Sequence, residues 1–173
     1  MRHKRNIILV IVFILLGLYV NFFEKGRGEK AIPKDEAQKI INFNAEDVEE
    51  IILKIDNSNI HFKQKDRKWQ IVSPVQADAI ESKVISLLSV FDYPIVRVID
   101  PNSLDLAQYG LNKPKIELGL RIKGENNYMT LQVGDNSPRG LSCYAKQKEK
   151  PEVFLVGLLY KLELRKDVNY FLK

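Results

Sequence analysis

A few groups of residues have types and spacing that could support chemistry. The run Gly134-Asp135-Asn136-Ser137-Pro138-Arg139-Gly140 offers glycines that let backbone N–H groups approach an anion, with Arg139 to clamp it. It is followed by strand pattern and not by a helix, and it lacks the Lys-Ser/Thr ending of a P-loop, so it reads as a long hairpin loop. His61, with Asp56 and Asp66 near in sequence, would suit acid-base work or a metal. It alternates with Ile60 and Phe62, however, which places it on a wet strand face beside Lys63 as a surface histidine. Asp47, Glu49 and Glu50 form an acidic group at a strand start and read as solvated charge. Trp69, Tyr109 and Tyr144 could line a binding face, although Trp69 and Tyr109 read better as core anchors, each with one hydrogen bond. No nucleophile has an identifiable base, so neither an enzyme nor a cofactor nor a metal is expected.

Composition narrows the choices further. The 173 residues allow one domain of ordinary size, or a smaller one with an appendage. Lys and Arg number 27 against 22 Asp and Glu. Arg2, Lys4 and Arg5 precede any acid, so residues 24–173 carry 24 basic against 22 acidic side chains, a net +2. That excludes a strongly basic nucleic-acid binder. A single cysteine, Cys143, excludes an intrachain disulfide and a multi-thiolate metal site, and one of the two histidines lies in the basic N-terminal tail.

Residues 7–23, IILVIVFILLGLYVNFF, are Ile, Leu, Val or Phe at fourteen of seventeen positions. Insertion of such a run into a bilayer gains on the order of 5 kcal/mol. At about 1.5 Å per residue it spans roughly 25 Å, short enough that Arg5 and Lys25 must snorkel to the interfaces. A cleaved signal would end at small residues; bulky Tyr19, Phe22 and Phe23 stand there instead, so a retained anchor is expected. The purely basic tail, residues 1–6, is expected to stay cytoplasmic, with the rest of the chain extracytoplasmic. Residues 24–44 begin EKGRGEKAIPKDE and read as a tether, reaching roughly 40 Å if the first thirteen are extended.

The elements that must position any site lie in residues 45–173. Strand alternation marks 48–55, 60–63 and 69–72, with turn residues between them. From residue 78 the period changes. Ile80, Val84, Leu87, Leu88 and Phe91 share a helical face, Asp78 and Glu81 stand in the capping-box relation, and Pro94 closes the element. Strand 95–99 follows. A short helix over 103–109 is expected to end at Gly110 in a left-handed cap, with Leu111 folding back and Pro114 soon after. Strands at 116–122, 128–133, 141–146 and 153–156 and a helix over 158–172, with Leu158, Leu162, Val168 and Leu172 on its apolar face, complete the pattern. The class is α+β: a largely antiparallel sheet carrying one long and one or two short helices, behind an N-terminal transmembrane helix.

Trp69 to Pro74, Ala77-Asp78, Arg97 to Asp100, Leu106 to Leu111 with Pro114, Leu131 to Gly134, Tyr144 and Val153 to Val156 together resemble the bacterial family called domain of unknown function 4340. The resemblance covers roughly residues 45–173, and Tyr109-Gly110-Leu111 with Pro114, preceded by Arg97-Val98-Ile99, is its most specific part. It implies Trp69, Pro74, Arg97, Tyr109, Gly110, Leu111, Pro114, Gly134 and Tyr144 as motif positions. It further implies a membrane-anchored exported protein, an auxiliary component beside ABC-type transport systems linked to gliding motility, in a family whose members often continue into a further domain. The functional expectation is a non-enzymatic, membrane-tethered interaction module. Its partners would be the bilayer, through residues 7–23, and a membrane or envelope protein, with no nucleic acid. The alternative is an envelope carrier of lipid or a small ligand.

Overall fold

The computed structural model describes residues 39–99 and 105–173. The expected anchor, the cytoplasmic tail and most of the tether lie outside the described residues. Among those described, no helix is long and apolar enough to cross a membrane.

Nine strands of the described residues form one sheet, and every pairing in it is antiparallel. In chain order they are β1 (Val48–Ile55), β2 (Ser58–Lys65), β3 (Lys68–Ser73), β4 (Ala77–Asp78), β5 (Ile95–Ile99), β6 (Ile116–Ile122), β7 (Met129–Asn136), β8 (Ser142–Gln147) and β9 (Val153–Gly157). Their order across the sheet is β4-β3-β2-β1-β6-β7-β8-β9-β5. The β2–β3 hairpin closes through Asp66 and Arg67, both at positive φ, the twist a two-residue turn needs to match right-handed strands. β1 joins the two halves by pairing with β6, across a gap of sixty residues that no local signal spans.

The α+β class holds; the helices differ from expectation. The element after β4 is an eight-residue helix, α1 (Glu81–Leu88), continued by a 3-10 turn Ser89–Asp92. Asp78 does not cap it. Ile80 stands at the N-cap without a side-chain bond, while Asp78 belongs to β4 and accepts from Gln70 Nε2 at 3.2 Å. A two-residue edge strand displaces the capping box because pairing with β3 satisfies the backbone first. The expected helix over 158–172 is split into α2 (Leu159–Leu164) and α3 (Val168–Phe171), the latter capped by Asp167. Of the expected apolar face, Leu158, Val168 and Leu172 pack half-buried against the core and only Leu162 is exposed, while the fully buried positions are Tyr160, Leu164 and Phe171.

These helices cover one face of the sheet, where Ile51, Leu53, Phe62, Ile71, Leu118, Leu120, Leu131 and Val133 are buried. Phe171 packs edge-on against Phe62 at 4.9 Å, and the Tyr160 hydroxyl donates to the Tyr93 carbonyl at 3.0 Å. The folded region begins earlier than residue 45. Ile40 and Ile41, expected in the tether, are buried in this core. The charged, glycine-broken composition that marks a tether ends before them.

Among the described residues, nothing covers the opposite face over β1, β2 and β6, where Ile52 and His61 are half-buried and Lys54 and Lys63 exposed. Further along, the segment 105–111 lies on it. The 3-10 turn Leu106–Tyr109, capped by Asp105, packs on β7.

Candidate functional site on the open face of the sheet

Strand alternation sends Glu50, Ile52 and Lys54 of β1 to the open face while Ile51 and Leu53 go to the core. Register then decides what each meets. Glu50 stands opposite Lys63 on one side and Arg121 on the other; Ile52 stands between His61 and Gly119; Lys54 stands between Asn59 and Glu117. Next along, Gly119 pairs with Thr130 and Glu117 with Gln132. Three rows of side chains therefore run across the strands.

The first row is built on Glu50, which is 7 % exposed. Its carboxylate accepts from the Tyr128 hydroxyl at 2.6 Å and from Arg121 Nη2, lies 3.1 Å from Lys63 Nζ, and lies 3.2 Å from His61 Nε2. Arg121 also reaches Glu49 at 3.5 Å. Burial by itself would raise the Glu50 carboxyl. The hydrogen bonds from Tyr128, Arg121, Lys63 and His61 together overcome it and hold the group at about 2, against an ordinary 4.5. Burial, then donation to Glu50, raises the Tyr128 phenol, so its proton stays in place and the ring is pinned. The acidic group at 47–50 is thus not simply solvated, because Glu50 is buried within a cationic shell. His61 is half-buried and tied to that carboxylate, more constrained than a free surface histidine.

The third row is quieter. Lys54 Nζ lies 3.7 Å from Glu117, which also accepts from Gln132 Nε2 at 2.7 Å. Between these two rows Gly119 leaves a dent of about 180 Å³, lined by Ile52, Lys54, Glu117, Tyr128, Thr130 and Lys148.

The sequence-derived motif positions occupy other places. Tyr109, Gly110, Leu111, Gly134 and Tyr144 converge where the 105–111 segment sits on β7 and β8. The Tyr109 and Tyr144 rings are 4.6 Å apart, Leu111 is 2 % exposed, and Gly134 lies directly beneath the turn. Arg97 of β5 stands opposite Leu155, which in turn stands opposite Tyr144, so it belongs to the same face two strands away. Trp69 is buried in the core on β3, Pro74 follows β3 in an exposed connection, and half-buried Pro114 leads into β6. Most of the motif is thus packing chemistry. The run 134–140 is not a long loop: β7 continues through Asn136, and only residues 137–141 turn.

Gly110 adopts φ 66° and ψ 22°, and its N–H bonds back to Ala107 and Leu106. A Cβ there would also lie 2.6 Å from the Asp135 carboxylate and 2.9 Å from the Asp135 backbone nitrogen. Left-handed strain costs roughly 1 kcal/mol, and the crowding adds to it, so Gly110→Val is expected to lower stability by about 2 kcal/mol. Arg139→Ala, in the exposed turn, should change it by less than about 0.5 kcal/mol. Thermal melts of the two variants would read the difference.

Cys143 is fully buried, and burial pushes its thiol up to about 11. The expected outcome is no reaction with a thiol-specific reagent in the folded state at neutral pH and full reaction in denaturant. Rapid native labelling would contradict the placement. Among the described residues no cluster of three or more His, Cys, Asp or Glu side chains could hold a metal ion.

Reading residues singly missed Glu50, Arg121, Tyr128 and Gly119 as parts of one arrangement. Alternation places Glu50 on the wet face, but its partners come from β2, β6 and the residue just before β7. The sequence model of the family described as Domain of unknown function (DUF4340) matches residues 69–173, a shorter stretch than 45–173. No curated protein and no solved structure matches the chain.

Proposed function

The chain belongs to the family described as Domain of unknown function (DUF4340), and from that premise we propose that it is a non-enzymatic, membrane-tethered extracytoplasmic interaction module. In this reading it is an auxiliary component of an envelope complex or an ABC-type transport system. The observation that carries the proposal is the apolar run 7–23 joined to a folded domain by a short charged segment. Such a run inserts favourably, and the intervening residues 24–39 hold the domain close to the bilayer. The state of the charged groups supports a binding role. Glu50 is fully engaged and held ionised, which makes it a poor general acid or base at neutral pH. The open sheet face then serves recognition.

Topology is testable directly. In intact cells, a cysteine-reactive, membrane-impermeant reagent is expected to label Lys113→Cys and leave an added N-terminal cysteine untouched until the membrane is opened. The reverse pattern, or release of the chain into the soluble fraction without detergent, would end this reading.

A carrier reading has one observation in its favour. A groove of about 470 Å³ lies between α1 and the segment 43–46, with Phe43, Trp69, Ile85, Leu88 and Phe91 among its lining residues. That volume falls in the range of small-ligand sites. Native mass spectrometry of the detergent-purified chain distinguishes the two: a stoichiometric bound lipid that survives gentle activation favours the carrier, and a bare mass favours the module.

A further inference from the structure

Glycine inside a strand is destabilising unless something requires it, because it brings no side chain to pack and loses the most backbone freedom. Most of the described glycines have such a reason. Gly110, Gly124 and Gly140 take positive φ, and Gly134 lies against the Tyr109 carbonyl. Gly157 only closes β9. Gly119 is different. It sits in the middle of β6, paired on both sides, its φ is outside the left-handed region, and a Cβ would meet Tyr128 Cδ1 at 3.4 Å, Thr130 Oγ1 at 3.7 Å and the Ile52 carbonyl at 3.8 Å. Those are ordinary contacts. Neither the backbone nor the packing of this chain calls for the missing side chain, and the space it leaves is the dent on the open face.

We infer that the dent over Gly119 is a receptor for one apolar side chain of a protein partner, aromatic or large aliphatic, flanked in its own sequence by Asp or Glu. The inference rests on the interaction-module reading and names the part of the surface that would do the binding. Size is the first argument. About 180 Å³ equals roughly six liquid-water volumes, enough for one side chain and below the roughly 300 Å³ at which small-molecule sites begin. Shape is the second. Ile52 and the Tyr128 ring make apolar walls, and the bond from Tyr128 to Glu50 at 2.6 Å fixes that ring before anything arrives. A rigid pocket that accepts one anchor is the usual form of an interface hot spot. Charge is the third. Lys54 and Lys148 stand at the rim, both exposed, and Lys148 is held beside Thr130 by its N–H bond to the Thr130 carbonyl. The nearby carboxylates are already engaged, Glu50 by its four partners and Glu117 by Gln132 and Lys54. Lys54 is shared with Glu117, so the charge left for a partner to meet is that of Lys148, and acidic flanks fit where basic ones are repelled.

The test uses the full chain in its membrane. A photoreactive p-benzoylphenylalanine replaces Asn59, which is exposed and stands on β2 opposite Lys54 of β1, on the same face; a second version carries it at Ser82 on α1, away from that face. Crosslinked residues are mapped by mass spectrometry. The expected result is an adduct from position 59 on one polypeptide, at or next to an aromatic or large aliphatic residue with Asp or Glu within three positions. Gly119→Val, which fills the dent, should reduce it at least tenfold, and Lys148→Glu several-fold. Gly119→Val should at the same time raise the thermal midpoint of the purified chain by a few degrees. A stability gain paired with a binding loss is what a glycine kept for a partner requires. An adduct that survives Gly119→Val, one that maps to a basic segment or to lipid, or a midpoint that falls would overturn the inference. Adducts at 82 alone would sink the dent and leave the module standing; adducts at neither position would sink both.

Discussion

Gly134→Val is expected to be the most damaging single substitution in this domain, lowering its stability by about 3–5 kcal/mol. A Cβ at 134 would fall 2.0 Å from the Tyr109 carbonyl oxygen and 3.0 Å from Leu111 Cγ. The first neighbour is backbone, so no rotamer change relieves it, and the 105–111 segment must lift from β7. Lifting it exposes Leu111, worth about 1.5–3 kcal/mol by apolar area, and breaks the Tyr109–Tyr144 ring contact, worth about 0.5–1.5 kcal/mol. Trp69, the only tryptophan, is 4 % exposed and reports the transition by fluorescence during urea denaturation. Even Gly134→Ala should be harmful, since the clash begins at Cβ. If Gly134→Ala unfolds at the wild-type urea concentration, the close approach of the turn to β7 is wrong.

Glu50 should govern how this domain responds to acid. Its folded-state carboxyl sits at about 2 and its ordinary value is 4.5. A depressed carboxylate contributes stability that is complete above about 4.5 and is lost as pH falls from there toward 2. At about 1.4 kcal/mol per pKa step, the contribution comes to about 3 kcal/mol. Replacing the group costs a similar amount at neutral pH, because Glu50→Ala leaves Arg121 and Lys63 facing each other across β1 without the charge between them. Glu50→Gln keeps the shape and loses the charge, and it should fall between. The decisive measurement is the pH dependence of urea midpoints. Wild type should lose stability between pH 4.5 and 2.5 more steeply than Glu50→Gln. Parallel curves would mean that the four partners do not converge on this carboxylate in solution.

The cluster around Glu50 also separates two uses of charge on the open face. Arg121 and Tyr128 are spent on holding the sheet surface in one arrangement, whereas Lys54 and Lys148 stand further out. A rigid wall beside adaptable rim charges suits recognition. The motif positions expected from the resemblance do neither. Tyr109, Gly110 and Leu111 fasten a turn to β7, and Gly134 lies beneath that turn.

By itself, the sequence determined the class of this domain and most of its strands. Period-two alternation at 48–55 and 116–122 records a sheet with one dry face, a local property that each segment carries alone. Gly110 was legible for the same reason, since a turn ending in Gly-Leu with a proline to follow is a local signature. The helices at the C-terminal end are only partly legible in the sequence. Leu162 is apolar but exposed because Tyr160 and Leu164, four apart, set the buried side of α2, and the new helix that starts at Asp167 brings Phe171 into the core beside half-buried Val168 and Leu172. The site was decided by tertiary structure alone. Whether Glu50 is solvated or enclosed depends on which strands flank β1, and the pairing of β1 with β6 brings Arg121 and Tyr128 to it from more than seventy residues away. Gly119 likewise looks in the sequence like one more wet-face position on an alternating strand. Only the neighbours across β1 and β7 turn a missing side chain into a cavity with walls, because alternation fixes which face a residue takes and register fixes what it finds there.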